Sequence, residues 1–160
     1  MILKHVRMET VVTSILVISD AFTQQGFIPS RYTCEGENVN PPLEISNIPE
    51  KTKSLALIME DPDATRGTFD HWIAWNIKPN QPIAEGNVPG ISGTNGFGKK
   101  GYGGPCPPTG RHRYYIKVYA LDAILDLPAS AGKKELQAAI KGHVLGHGEL
   151  MGHYEKRQKQ

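Results

Sequence analysis

The sequence predicts a mostly β domain, an antiparallel β-sandwich with one or two short helices near its C-terminus. Three observations predict it. At least five runs carry strand periodicity and β-prone residues, and only one stretch reads convincingly as helix. The 17 Gly and 12 Pro among 160 residues then favour shaped loops over helical connections. The length fits one domain, residues 1–160 with a core over about 12–157, and 39% hydrophobic residues suffice to build that core.

The first strand is expected over Val12 to Ser19. Lys4, His5 and Arg7 in front of it mimic the start of a signal peptide. However, Thr13 and Ser14 break the apolar run, Asp20 follows closely, and no small-x-small cleavage site appears, so a cytoplasmic protein is expected. No apolar run approaches a transmembrane helix. Leu43 to Ile48 alternates apolar and polar residues as a half-buried strand does. Leu55 to Glu60 is the most continuous apolar run and should be central; Asp70 to Ile77 and Tyr114 to Asp122 are further strands. A helix is expected from Gly132 to Lys141, capped by Ser130, with Leu136 and Ile140 inward at spacing four and Glu135 near its start. His143 to Gly148 reads as another short helix or a turn, and Glu149 to Glu155 as a final strand.

Two connections stand out. Arg31 to Pro42 is an ordered loop by its Gly, Asn and Pro content. Gly86 to Gly110 holds nine Gly and four Pro, and a segment that long without periodicity is usually functional or disordered. Phe97, Tyr102 and the Pro105-Cys106-Pro107-Pro108 patch favour order, and Gly101 to Gly104 would let backbone N–H groups approach a ligand.

The formal net charge of +2 is too weak to point to nucleic acid, and Lys156, Arg157 and Lys159 read as a solvated tail. Cys34 and Cys106 are too few for a disulfide scaffold or a zinc knot. They could face each other across a site, but two reduced thiols are expected.

Candidate chemistry concentrates at strand ends. In Asp61-Pro62-Asp63 the two carboxylates share a face if the tip is extended, and could hold and polarise His71 or meet a ligand amine; the alternative is an Asx-turn capping the strand exit. His112 lies beside Tyr114 and behind the Gly/Pro loop, a sensible anion or phosphate pocket, or else a polar lip over a strand start. His143, His147 and Tyr154 could complete such a pocket. Known catalytic patterns fail. His143-x-x-x-His147 lacks the metalloprotease glutamate, since position 144 is Val. Gly90-Ile91-Ser92-Gly93 is no nucleophile elbow, and Gly96 to Lys100 is no P-loop. A thiol nucleophile at Cys106, six positions before His112, stays open.

Several separated blocks in order resemble the phosphatidylethanolamine-binding protein family, which includes the Raf kinase inhibitor protein, in its bacterial and archaeal branch. They are Tyr32-Thr33-Cys34-Glu35-Gly36, Asn40-Pro41-Pro42-Leu43, Asp61-Pro62-Asp63-Ala64, Asp70-His71-Trp72, Gly101 to Pro108, and His112-Arg113-Tyr114. The resemblance runs from about Thr13 to Arg157. It implies a large antiparallel sheet packed on a smaller one, C-terminal helices, and a pocket for anions such as phosphate or phosphorylated head groups. It carries Asp61, Asp63 and His71 to one pocket block, and Gly104, Pro105, His112 and Tyr114 to the other; Trp72 falls beside the pocket histidine. Eukaryotic members gate the pocket with a C-terminal helix that has no obvious equivalent before Gln160, so a more open pocket is expected.

The function expected from the resemblance is therefore a binding or regulatory module for a small anion or phosphorylated head group, not an enzyme, with no cofactor, metal or catalytic residue assigned. The alternatives are inhibition of a serine protease or kinase through a surface loop, and a hydrolytic or thiol enzyme using the same pocket. Beyond the anion, the expected partners are such a protein target and a second copy in a homodimer, but not nucleic acid. Within the pocket, His71 and His112 are expected to hold the anion, Tyr114 to donate its hydroxyl, and Asp61 and Asp63 to orient the rings. The acids should keep the rings protonated, strengthening binding below roughly pH 6.5.

Overall fold

The computed structural model describes residues 11–157; the predicted basic start at Lys4, His5 and Arg7, and Lys159 of the tail, lie outside them. The element order is β1 (Thr13–Ser14), β2 (Leu16–Ile18), β3 (Glu44–Ser46), β4 (Ser54–Asp61), β5 (Phe69–Ile77), β6 (Ile91–Ser92), β7 (His112–Leu121), α1 (Lys133–Ile140) and β8 (Val144–Tyr154). Six strands form one sheet in the order β1-β8-β7-β4-β5-β6, and β2 and β3 form a second, smaller one. Pairing is antiparallel except where β1 lies parallel to β8, so the large sheet is mixed rather than purely antiparallel.

The predicted first strand is divided between the two sheets. The Ile15 N–H still bonds the His147 carbonyl of the large sheet at 3.0 Å, while Leu16 to Ile18 pair with β3. β4 lies in the middle of the large sheet because both of its faces are apolar, as its continuous run requires. Leu55, Leu57 and Met59 pack on the side of the small sheet, with Val17, Leu43, Trp72, Tyr114 and Ile116. Ala56 and Ile58 face the other way, with Ile73 and Trp75, and meet Leu136 and Ile140 of the helix. The result is three layers: small sheet, large sheet, helix.

Two local expectations are corrected. The helix is capped at Gly132, whose N–H donates to Glu135 Oε2 at 3.1 Å, while Ser130 gives its carbonyl to Thr94 Oγ1. His143 to Gly148 is neither helix nor turn: from Val144 onward it is the start of β8, paired along β7. Its glycines disguise it, since Gly is depleted in strands. They are needed because Phe22, Ile28 and Ile15 pack directly on the strand; a Cβ at Gly148 would lie 2.1 Å from the Ile15 carbonyl oxygen.

Candidate functional site

The ends of three adjacent strands meet at one edge of the layer between the sheets. Period-two alternation puts Asp61, at the end of β4, on the same face as Leu57 and Met59. It puts His112 and Tyr114, at the start of β7, on the same face as Ile116 and Val118. His71 reaches this face by a different route. Met59 pairs with Trp72 but Glu60 pairs with Asp70, so His71 is the extra residue of a β-bulge. The bulge lets His71 and Trp72 both turn to the inner face, while Asp70 turns outward to Lys133.

These residues line a cavity of about 150 Å³. All four polar side chains are buried: Asp61 is 3% exposed, His71 4%, His112 8% and Tyr114 1%. His112 donates from Nδ1 to Asp61 Oδ2 at 2.7 Å. The other Asp61 oxygen accepts the Asp63 N–H at 2.7 Å, the Asx-turn that was the alternative reading of this tip. His71 donates from Nδ1 to the Gly103 carbonyl at 2.7 Å, and the Gly103 N–H returns a bond to the His71 carbonyl at 2.8 Å. The Tyr114 hydroxyl is buried without a hydrogen-bond partner. Phe69 and Phe97 stand edge-on to His71, at centroid distances of 4.9 and 5.7 Å, and with Pro107 and Pro108 give the cavity an apolar wall.

The carboxylates do not work as a pair on His71. Asp61 bonds His112, and Asp63 turns away to Arg113, which it meets through Nε at 2.9 Å, Nη2 at 2.8 Å and the backbone N–H at 2.9 Å. Those bonds from Arg113 hold the Asp63 carboxyl down at about 2. His71 is also not held protonated. Burial pushes its pKa below the ordinary histidine value, against the opposing pull of the Gly103 carbonyl and Asp61. Burial and neighbouring Asp61 push the Tyr114 phenol up, so it keeps its proton.

The glycine loop has a different role from the one expected. Its amides are already used: Gly101 N–H bonds Gly93, Gly103 N–H bonds His71, and Gly104 N–H bonds Asn38 Oδ1 at 2.8 Å. A Cβ at Gly104 would lie 2.3 Å from both Asn38 Oδ1 and the Tyr32 carbonyl, so glycine here permits close packing of two loops. Gly104 and Pro105 stand behind the wall and do not line the cavity. Trp72 likewise points into the core, edge-on to Tyr102 at 5.3 Å. His143 is tied to Asp122 at 2.8 Å and His147 lies against Tyr119, neither in the cavity.

The same loop packing overturns the expectation of free thiols. Cys34 and Cys106 form a disulfide. The Cys34 N–H bonds the Pro105 carbonyl at 3.1 Å, so the two loops are in register and bring together cysteines 72 residues apart. Cys106 is a wall residue and not a nucleophile. Wider hollows of about 250 and 440 Å³ lie elsewhere, along Asn76 to Gly90 and along β3, but no histidine lines either.

The phosphatidylethanolamine-binding protein family model matches residues 18–155. The chain belongs to that family. A UPF0098 protein of Pyrococcus horikoshii is 49% identical over 89% of this chain and 77% of its own length, and one of Methanothermobacter thermautotrophicus is 47% identical over 85% and 95%. Among solved structures, a phosphatidylethanolamine-binding protein homologue of Chlamydia trachomatis superposes with a TM-score of 0.87. It has 40% identity and coverage of 91% of this chain and 99% of that one. Escherichia coli YbcL, of the same family, gives a TM-score of 0.83 at 27% identity, covering 91% and 100%. Within this family fold, sequence reasoning assigned no ligand-binding role to Ala64, Thr65, Phe69, Phe97, Cys106, Pro107 or Pro108, all of which line the cavity. Phe69 was findable: it lies two positions before His71 on the same strand and so shares its face by alternation.

Proposed function

We propose that this member of the phosphatidylethanolamine-binding protein family binds a small oxyanion, inorganic phosphate or a phosphorylated head group, in the cavity among Asp61, His71, His112 and Tyr114, without turning it over. The observation that carries this reading is the Tyr114 hydroxyl. It is 1% exposed and makes no hydrogen bond of ordinary geometry within the protein, with only the Asp61 carboxylate close to it, and it sits at a cavity where two anchored imidazoles each keep one ring nitrogen free. A buried hydroxyl left unpaired costs stability, so its retention there is explained by a ligand that completes it. The apolar wall of Phe69, Phe97 and Pro107 suits a short carbon substituent on the phosphate. About 150 Å³ is small beside ordinary lipid- or drug-sized sites, so a head group fits and acyl chains do not.

A binding role is favoured over the thiol enzyme because Cys106 is in a disulfide. It is favoured over inhibition of a protease or kinase through the 86–110 loop because Gly103 and Gly104 of that loop bond His71 and Asn38 and tie it to the cavity wall. Among the described residues no cluster of three or more His, Cys, Asp or Glu is placed to hold a metal, and no helix is long and apolar enough to cross a membrane. Calorimetric titration of phosphate and phosphoethanolamine into wild type, His71→Ala and His112→Ala tests the reading. Loss of one bond to a charged ligand should weaken binding by about one to two decades. Folded variants that bind as wild type does would sink it.

A further inference from the structure

Among its side chains the cavity holds more acceptors than donors. The Gly103 carbonyl can only accept, so His71 Nδ1 carries a proton in every state and Nε2 is the free nitrogen. Asp61 fixes His112 in the same way, with Nδ1 protonated and Nε2 free. An uncharged ring offers a lone pair there. Asp61 adds a buried carboxylate, which only accepts. Against these stands one buried hydroxyl, that of Tyr114, with the exposed Thr65 at the rim. No Lys or Arg lines the cavity among the described residues; Arg113, next to His112 in sequence, is committed to Asp63, and Arg111, on its other side, lies over the Phe27 ring.

A fully ionised oxyanion is itself acceptor-only, and meets the buried Asp61 carboxylate in this space. No lysine or arginine offsets that repulsion, and burial opposes taking up a proton at His71. An oxyanion that carries an acidic proton brings the missing donor with it. We propose that the cavity selects oxyanions bearing their own ionisable proton, inorganic phosphate and phosphomonoesters, over those that have none at neutral pH, sulfate and phosphodiesters, with Asp61 or a histidine Nε2 accepting that proton's hydrogen bond. The inference rests on the anion reading above and sharpens it. The phosphate of an intact phospholipid is a diester, so the site would reject it and accept a free phosphorylated head group.

The groups that would set the pH dependence come from each strand at the site. Asp61 of β4 faces both rings, Asp70 of β5 acts on His71, and His112 and Tyr114 of β7 complete the set, with Asp63 and Arg113 paired outside. Proton accounting therefore separates ligands. Sulfate carries no proton at pH 7 whereas phosphate does, so sulfate binding must take up more protons from solvent than phosphate binding, and its affinity must rise more steeply on acidification.

The test is calorimetric titration of wild-type protein at pH 7 with inorganic phosphate, sulfate, phosphoethanolamine and glycerophosphoethanolamine, in two buffers of different ionisation enthalpy. Phosphate and phosphoethanolamine should bind at least about tenfold tighter than sulfate and the diester. Asp61→Asn, which replaces an acceptor by a donor, should narrow or reverse the preference. Methylphosphonate against methanesulfonate repeats the comparison in the wild type alone, should the variant fail to fold. If sulfate or the diester binds within threefold of its partner with the same proton uptake, the selectivity is wrong and the anion site stands. If none of the four binds, both readings fall.

Discussion

His112 and Asp61 are 51 residues apart in sequence and bond at 2.7 Å across neighbouring strands, each at the last position before its strand gives way to loop. The bond fixes the imidazole and also satisfies a buried carboxylate. Removing one partner strands the other: Asp61→Ala should destabilise the protein by roughly 1–3 kcal/mol. The double variant Asp61→Ala/His112→Phe should recover much of that loss, because no polar group is left unpaired. Urea denaturation of the four proteins of this cycle gives the coupling, and additive effects would mean the bond contributes nothing.

What was legible at this site followed from strand period. Asp61, His112 and Tyr114 fall on one face once β4 and β7 are recognised, and both are recognisable from their apolar runs. What was not legible depends on three-dimensional neighbours. The bulge at His71 shows only in the pairing of Met59 with Trp72 and Glu60 with Asp70. Asp63 seemed equivalent to Asp61 because alternation was extended past the strand end, where the Asx-turn redirects the chain to Arg113. The glycines of 101–104 suggested exposed amides, whereas the loop from Tyr32 to Asn38 occupies that space. The cysteine pairing was hidden for the same reason: only the contact of those two loops joins positions 34 and 106.

Asp63 should contribute an acid-sensitive increment of stability. Its folded pKa, about 2, lies below its unfolded value, so the contribution is full above about pH 4 and is lost as pH falls through about 2. The pair with Arg113 is partly exposed, which limits it to about 1 kcal/mol or less. Asp63→Asn should be less stable than wild type by that amount at pH 7 and equal to it near pH 2. A gap that persists at pH 2 would assign the effect to something other than charge.

His71 should act with the same sign in a higher window. Burial lowers its folded pKa, so below the unfolded value of about 6.5 the unfolded chain binds the extra proton and stability falls as pH drops. His71→Gln should flatten this fall in denaturation midpoints measured from pH 7.5 to 5. Saturating phosphate should raise the wild-type midpoint across the range, since it binds the folded protein and not the unfolded chain. A wild-type midpoint constant over this range would show that His71 is not the neutral, buried group described.

The disulfide ties the two loops that form one cavity wall. Alkylation of the denatured, unreduced protein should add no label by intact mass, and reduction first should add two. Reduction closes no cavity directly, but frees a loop of 72 residues' separation and should cost roughly 2–5 kcal/mol. Phosphate affinity should fall with it, because Cys106, Pro107 and Pro108 lose their fixed position. A reduced protein with unchanged midpoint and affinity would leave the wall held by its hydrogen bonds alone.

Tyr114→Phe separates stability from binding most sharply. The hydroxyl is buried, unpartnered and beside the Asp61 carboxylate, so in the unliganded protein its removal relieves a desolvation cost. The ring itself stays useful: it packs edge-on to His71 at 5.2 Å and stacks with His112 at 6.4 Å, and phenylalanine keeps both contacts. The variant should therefore be as stable as wild type or more so, by up to about 1–3 kcal/mol in urea denaturation. Binding should move the other way. The phenol is the buried hydroxyl of the cavity among the described residues, and losing a bond to a charged oxygen costs roughly 1.5–3 kcal/mol, or one to two decades in phosphate affinity. A variant that is less stable and binds phosphate as before would mean that the hydroxyl serves the fold and not a ligand.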